Sequence, residues 1–205
     1  MMISPEDDPV GASGPWSLFP DLAADRSRSL EAEHRALGDV DLDQVRWLVG
    51  QGITEAAMTS PWPIGASRVK FDGPTFTIDS EGERALTFRC ANCGEVYDLA
   101  AWAPRTGKIG TMFGAAFCLG DLDDVYNPGT YAMGGALKVH RDPLAWLRAD
   151  RAGIVIVRSE LVSMYLRNLQ RLVVADEAYK RQMRAWLQPP APTVELLVEA
   201  ERVAA

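Results

Sequence analysis

The chain has 205 residues, enough for one sizeable hydrophobic core or for two small domains that share an interface. Apolar residues make up 47% and charged residues 24%, close to the averages of folded soluble proteins, which excludes collagen, coiled coil and wholesale disorder as descriptions of the chain. The 21 basic and 28 acidic residues give a net charge of −7, which argues against a protein that coats nucleic acid with its whole surface.

No segment has the pattern of a membrane span. The longest uninterrupted aliphatic run is residues 154–157, whereas a helix that crosses a bilayer needs about 20 apolar residues. The acidic start of the chain, with Glu6, Asp7 and Asp8, is unlike a secretory signal. We therefore expect a cytoplasmic protein with no membrane partner, whose three cysteines form no disulfide framework.

Turn signals and composition divide the chain into five segments. Proline and glycine dominate the first segment, which predicts a flexible arm. The later segments change from a helical pattern to a strand pattern and then to alternating strands and helices, so the predicted fold class is α+β. In chain order they are residues 1–20 (arm), 21–60 (helical segment), 61–133 (β-rich region), 134–188 (α/β unit) and 189–205 (tail).

Three helices are predicted in the helical segment. Residues 22–37 are rich in Ala, Arg, Glu and Leu and are followed by Gly38, a residue typical of the position after a helix. Asp41 is a suitable N-cap for a second helix, and residues 54–58 fit a short third one. His34 lies in the polar first helix, where we expect it to be exposed.

The β-rich region shows the two-residue alternation of half-buried strands. Turn residues separate consecutive strands, which predicts an antiparallel meander. Residues 120–131, rich in Asp and Gly, are predicted to be a loop. The predicted strands lie at residues 68–71, 75–78, 85–88, 96–99 and 109–113.

The α/β unit alternates strands with helices. Strands are predicted at residues 136–140, 154–157 and 172–175, and helices begin after the capping residues Asp142, Ser159 and Asp176. This order predicts a βαβα unit with a parallel sheet. His140, at the end of the first of these strands, is expected to be a packed residue, and residues 193–198 of the tail fit a final edge strand.

Positive charge is concentrated in the α/β unit. Between Lys138 and Arg184 there are ten basic and five acidic residues, a local charge of +5 that leaves −12 elsewhere. Two interpretations stay open: solvated helix faces with charge partners, or a patch that contacts phosphates. The candidate nucleic-acid-binding residues are Arg141, Arg148, Arg151, Arg158, Arg167, Arg171, Lys180, Arg181 and Arg184.

Cys90 and Cys93 have the spacing of half a zinc knuckle, with Gly94 directly after them. Cys118 is the candidate third ligand, because its strand could return beside Cys90, and His140, Asp98 and Asp121 are open as a fourth. A structural zinc site and three reduced, metal-free cysteines are both open at this point.

Three carboxylates follow predicted strands of the α/β unit: Glu160, Asp176 and Glu177. Because ligands of parallel sheets bind outside the carboxyl ends of the strands, these side chains could hold Mg²⁺ for phosphoryl chemistry. The alternative is helix capping, since Asp is a good N-cap and Glu is favoured in a first turn.

The order of these pieces resembles the toprim-bearing core of primases carried by phages and other mobile elements. The resemblance lies in the entry at residues 47–54, in the turns and strands of residues 79–83 and 99–108, and in residues 153–160 and 172–178, which are similar to the two acidic toprim strands. It implies a toprim-like α/β unit and a role in DNA replication. Where the family has a catalytic glutamate and glycine, this chain has Arg158 and Ser159, and its Asp-x-Asp pair is Asp176 followed by Ala178, which implies a degraded metal centre.

Three functional hypotheses follow. The first is a non-catalytic accessory protein of mobile-element DNA replication or processing, which contacts DNA, RNA or a replication protein of phage or host through the basic α/β unit. The second is a protein-interaction or structural module held together by zinc. The third is a Mg²⁺-dependent phosphoryl-transfer enzyme that uses the three carboxylates.

Overall fold

The structure is a computed structural model that describes residues 20–188, with side chains described from residue 25 onward. The chain first forms three helices, then a closed five-stranded β-barrel, and then a four-stranded sheet with helices on both sides. The helices are α1 (Pro20–Ala36), α2 (Leu42–Gly50), α3 (Glu55–Thr59), α4 (Leu122–Tyr126), α5 (Pro128–Tyr131), α6 (Pro143–Arg148), α7 (Val162–Leu166) and α8 (Glu177–Leu187). The strands are β1 (Gly65–Asp72), β2 (Thr75–Ile78), β3 (Glu83–Asn92), β4 (Glu95–Trp102), β5 (Ile109–Thr111), β6 (Cys118–Leu119), β7 (Leu137–His140), β8 (Ile154–Ile156) and β9 (Leu172–Val174).

The predicted α+β fold class is confirmed, and so are the three N-terminal helices. Asp41 caps α2 in a capping box, because its carboxylate accepts a hydrogen bond from the Gln44 N–H while the Gln44 side chain accepts one from the Asp41 N–H. Thr54 caps α3 through the Ala57 N–H. These local signals were sufficient to place both helix starts.

The strands of the barrel follow the order β1-β2-β5-β4-β3 and return to β1. The neighbours β1–β2, β3–β4 and β4–β5 are antiparallel, as the alternating pattern predicted. Two further pairings close the barrel: β1 with β3, antiparallel, and β2 with β5, parallel. Leu30 of α1 packs into a buried cluster with Val69, Phe76 and Leu99 of the barrel strands.

The second sheet has the strand order β6-β8-β7-β9. Strands β8, β7 and β9 are parallel, as the alternation of strands and helices predicted, and β6 adds an antiparallel edge. Gly153, directly before β8, has a φ of 85°, and a Cβ there would lie 2.4 Å from the Lys138 carbonyl oxygen. Glycine therefore lets β8 enter beside β7.

The sheet separates two hydrophobic clusters. Val155 of β8 joins Trp146 and Leu147 of α6 in a core shared with α2, α3 and the barrel. Its neighbour Ile154 belongs instead to the core beneath α7 and α8. Both faces of the sheet are thus covered, as expected for parallel strands that are apolar on both sides.

The structure corrects two expectations. Residues 120–131 are not a loop but contain α4 and α5. Asp121 and Asn127 each cap one of these short helices, and Val125 is a buried residue of α4. His34 is not exposed but 3% accessible, with Nε2 3.3 Å from the Thr87 carbonyl oxygen. Burial, and then the positive charges of Arg89 and Arg151, lower the pKa of His34.

The predicted arm, up to residue 19, and the predicted tail, with its edge strand at residues 193–198, lie outside the described residues. Within residues 20–188, no helix is both long enough and apolar enough to span a lipid bilayer.

A buried carboxylate joins the barrel to the second sheet. Asp98 lies on β4, is 0% exposed, and accepts four backbone hydrogen bonds. Its Oδ1 accepts from the N–H groups of Leu99 (2.8 Å) and Phe113 (3.0 Å), and its Oδ2 accepts from Ala115 (2.7 Å) and Ala116 (3.0 Å). The last three donors belong to the segment that leads from β5 to β6, so Asp98 fixes where the chain leaves the barrel.

We expect Asp98→Asn to lower the free energy of unfolding by about 3 kcal/mol, because the amide NH₂ would face backbone donors that it cannot accept from. Urea denaturation monitored by tryptophan fluorescence measures the change. The matched control is Asp43→Asn on the exposed face of α2, where the side chain is 85% accessible and the loss should stay within about 0.5 kcal/mol. Equal effects of the two substitutions would contradict the role of Asp98.

Candidate nucleic-acid interface

The carboxyl ends of β7 and β9 are joined by an arginine–aspartate–tyrosine contact. Arg141 follows β7, and its Nη1 lies 3.3 Å from Oδ2 of Asp176, which follows β9. Oδ1 of Asp176 accepts a hydrogen bond from the Tyr179 N–H (2.7 Å) and caps α8. The Arg141 guanidinium lies over the Tyr179 ring at 6.0 Å, and the Tyr179 hydroxyl donates to the His140 carbonyl oxygen (3.2 Å). These contacts fix the start of α8 against the central strand of the sheet.

The capping contact also accounts for the acidity of Asp176. The hydrogen bond from the Tyr179 N–H, with smaller contributions from the charges of Arg141 and Arg181, lowers the pKa of this carboxyl against the opposing effect of burial. Asp176 is therefore used as an anion that holds a helix start.

The two other candidate carboxylates have partners of their own. Glu160 accepts a 2.7 Å hydrogen bond from Arg158, and Glu177 accepts a 2.9 Å hydrogen bond from Lys180 one turn later in α8. In the described part of the chain, no three His, Cys, Asp or Glu side chains come together as a group that could hold a metal ion. The structure thus does not bring Glu160, Asp176 and Glu177 together as a magnesium site, and it places Asp176 in the capping role.

Four of the nine candidate basic residues donate to backbone carbonyl oxygens of distant segments. The Arg148 Nε donates to the Gln51 carbonyl (2.8 Å), and Arg171 Nη1 to the Gly134 carbonyl (2.7 Å). Arg158 donates to the Gly114 carbonyl. The fourth is Arg151, which donates to the Ala57 carbonyl.

Arg151 is the most deeply placed of the nine. Its guanidinium donates to the carbonyls of Ala57 (2.6 Å) and Trp62 (2.8 Å) and lies 5.6 Å from the centre of the Trp146 ring. Burial lowers the pKa of Arg151 to about 10. Arg148 and Arg151 therefore hold the N-terminal helices against α6, and their charges do not belong to one surface with those of α8.

Of the remaining candidates, Arg141 follows β7, Arg167 directly follows α7, and Lys180, Arg181 and Arg184 lie on α8. Lys180 pairs with Glu177, and Arg141 pairs with Asp176. Arg167, Arg181 and Arg184 are exposed, and none of them has a hydrogen bond or ion pair within the described residues. These three guanidinium groups are free to contact an anionic ligand.

The cysteines occupy three different environments. Cys90 on β3 and Cys118 on β6 are fully buried, whereas Cys93 is exposed in the turn between β3 and β4. The Cys93 thiol lies 3.7 Å from an oxygen of Asp123. Burial raises the pKa of the Cys90 and Cys118 thiols, and the charge of Asp98 raises the pKa of Cys90 further. The three sulfurs do not share one metal-binding group.

We expect one cysteine of the native protein to react with a disulfide reagent, because only Cys93 is exposed and thiolate formation at the other two is opposed by burial. The reaction should be faster than at the buried thiols but slower than that of a free thiol, since partial burial and then the charge of Asp123 raise the pKa of Cys93. Absorbance during the reaction counts the thiols, and all three should react after unfolding. Cys93→Ser should remove the fast reaction. A native protein with no reactive thiol, together with stoichiometric zinc in metal analysis, would instead favour a zinc site.

We expect Asp176→Ala to lower the free energy of unfolding by about 1 kcal/mol, because the α8 cap is lost. Asp176→Asn should retain most of the stability, since Asn is an equally good N-cap. Thermal denaturation of the two variants beside the native chain tests the capping role. Equal losses in both variants would show that the negative charge matters more than the cap.

Sequence reasoning missed the aromatic and methionine side chains that flank the basic layer. Tyr126 is 48% exposed, Met164 64% and Met133 fully exposed. Exposure of such residues has no local sequence signal, because the pattern around them is also compatible with burial. Asp98 was considered only as a metal ligand, and its buried structural role was not predicted, since its four donors become neighbours only in the folded barrel.

Comparison of the chain with protein-family models, with curated proteins and with solved structures finds no match. The resemblance to toprim-bearing primases therefore stays a prediction.

Proposed function

We propose that this chain is a non-catalytic nucleic-acid-binding protein whose contact surface is the outer layer of α7 and α8. One observation carries the proposal: Arg167, Arg181 and Arg184 are exposed on this layer without a carboxylate partner in the described range. Guanidinium groups bind phosphate oxygens in a bidentate manner, and a helical layer with several free guanidinium groups fits a phosphate backbone.

The negative charge of the rest of the chain supports the choice of this layer as the contact surface. The chain as a whole carries −7, so a polyanion is repelled by most of it and attracted where arginines lack partners. Such a ligand approaches in one orientation. Binding of this kind is moderate in strength and sensitive to salt, because a few phosphates are neutralised rather than many.

The carboxylates support a non-catalytic role. Asp176 caps α8, and Glu160 and Glu177 each pair with a basic side chain. A two-metal or one-metal phosphoryl transfer needs carboxylate oxygens that converge on the ion. The resemblance to toprim-bearing primases, with Arg158 in the place of the family's catalytic glutamate, fits the same proposal and favours an accessory role in mobile-element DNA replication or processing.

A protein-interaction role is the second candidate, and the surface of α2 favours it. Leu42 and Val49 lie on one face of this helix, at a spacing of seven residues, and are 62% and 56% exposed. A helix of a partner replication protein could cover this face. This contact would leave the α7–α8 layer free.

We expect the protein to bind short DNA at low salt and to lose affinity as the salt concentration rises from about 50 to about 200 mM. Replacing Arg181 and Arg184 together by Ala should lower the slope of log K against log salt by about 1.5, since two phosphate contacts are lost. Fluorescence anisotropy with a labelled oligonucleotide measures both quantities.

The matched control replaces two exposed arginines outside this layer, Arg46 on α2 and Arg105 in the turn after β4, which removes the same charge. This control should keep the native slope to within about 0.5. Absence of binding at low salt, or an affinity that does not change with the salt concentration, would refute the proposal. An equal fall of the slope in the control would refute the assigned surface.

A further inference from the structure

A mixed aromatic and basic surface lies at the amino edge of the second sheet. Arg171 directly precedes β9, and its Nη1 donates to the Gly134 carbonyl in the turn that leads into β7 (2.7 Å). Because β7 and β9 are parallel, this contact joins the turn at residues 132–134 to the segment between α7 and β9. Met133, in the same turn, is fully exposed beside Arg171.

Tyr126 lies at the same edge. Its hydroxyl donates to the Tyr165 carbonyl oxygen of α7 (3.4 Å), which places the Tyr126 ring beside the C-terminal end of that helix. Arg167 is the residue that directly follows α7, and Met164 is exposed one turn earlier. Two flanking segments, residues 126–134 and 164–171, thus present one aromatic ring, two methionines and two guanidinium groups.

The hydroxyl of Tyr126 is engaged in its hydrogen bond to the Tyr165 carbonyl oxygen. Burial, followed by the neighbouring Tyr165, raises the pKa of Tyr126 to about 12. Tyr126 is nevertheless 48% exposed. An exposed aromatic side chain offers a planar apolar face on which another ring can stack.

The two arginines keep their charge available for a ligand. In the described part of the chain, Arg167 has no partner and Arg171 donates only to a carbonyl oxygen, so no carboxylate neutralises either group. The carboxylates of α4 that are close in sequence to Tyr126, Asp123 and Asp124, form no ion pair with either arginine within the described residues. The surface therefore combines uncompensated positive charge with an accessible ring.

We infer that this edge binds single-stranded nucleic acid, with a base stacked on Tyr126 and the adjacent phosphates held by Arg167 and Arg171. The inference rests on the proposed function and names its substrate class. Stacking requires an unpaired base, since the faces of the bases in a duplex are covered by their neighbours. Methionine side chains beside the ring extend the apolar contact without demanding one base type.

The test compares a labelled oligonucleotide of about 16 nucleotides with a duplex of the same length, in fluorescence anisotropy. We expect the single strand to bind more tightly than the duplex at every salt concentration. Tyr126→Leu, which keeps apolar bulk but lacks a ring, should weaken single-strand binding by about tenfold and leave the salt slope unchanged. Tyr126→Phe should bind like the native chain, because only the anchored hydroxyl is lost.

Arg167→Glu supplies a variant that does not depend on the ring. It should weaken binding and reduce the salt slope, whereas Arg105→Glu on the barrel should change both much less. Circular dichroism and melting temperature show whether each variant is folded, and if Tyr126→Leu unfolds, the Arg167→Glu and Arg105→Glu pair and the strand preference still decide the question.

The outcomes separate this inference from the proposed function. Salt-dependent binding with a preference for duplex, or with no loss in folded Tyr126→Leu, would overturn the single-strand inference and leave nucleic-acid binding in place. Failure to bind either oligonucleotide at low salt would overturn both.

Discussion

One buried carboxylate fixes the segment that joins the barrel to the second sheet. Asp98 accepts four backbone hydrogen bonds, three of them from residues that leave the barrel for the second sheet. A buried anion costs several kcal/mol unless donors surround it, and N–H groups supply that compensation without a counter-charge. The chain thus leaves the barrel in one direction, and β6 enters the edge of the sheet beside β8 in a fixed register. This junction therefore connects the barrel to the sheet on which the basic layer packs.

Local signals predicted the elements, and long-range pairing defined how they are arranged. Asp41, Thr54 and Asp176 cap helices where the sequence indicated, because a cap involves residues only three positions apart. Closure of the barrel could not be predicted, since the pairing of β1 with β3 and of β2 with β5 brings together strands whose contact depends on the whole barrel. His34 was placed wrongly for a related reason. A polar helix gives no indication that a strand segment such as Thr87 will cover one of its faces.

For the candidate site, the positions of the charged residues could be read from the sequence, but their partners could not. A count of basic residues treats Arg151 and Arg181 alike, yet one is held between carbonyl oxygens beneath α6 and the other is free on α8. The difference follows from the strand order, which places α6 and α8 on opposite faces of the sheet. The carboxylates show the same limit. Ends of parallel strands do lie at one edge, as expected, but Asp176 points its oxygens at a helix N-terminus and at Arg141 rather than toward Glu160.

The carboxylates at the carboxyl edge of the parallel sheet are held by neighbouring donors. A metal centre needs carboxylates without competing donors, whereas here each carboxylate at the carboxyl edge is occupied by an arginine, a lysine or an N–H group. Neutralising these acids removes the repulsion that a phosphate backbone would meet at this end of the sheet. The unpaired arginines then lie on the helices that return to the amino edge, where Tyr126 adds a surface that charge alone does not provide. In the proposed function, electrostatic attraction and base contact therefore belong to the same outer layer, because the barrel and the N-terminal helices cover the opposite face of the sheet.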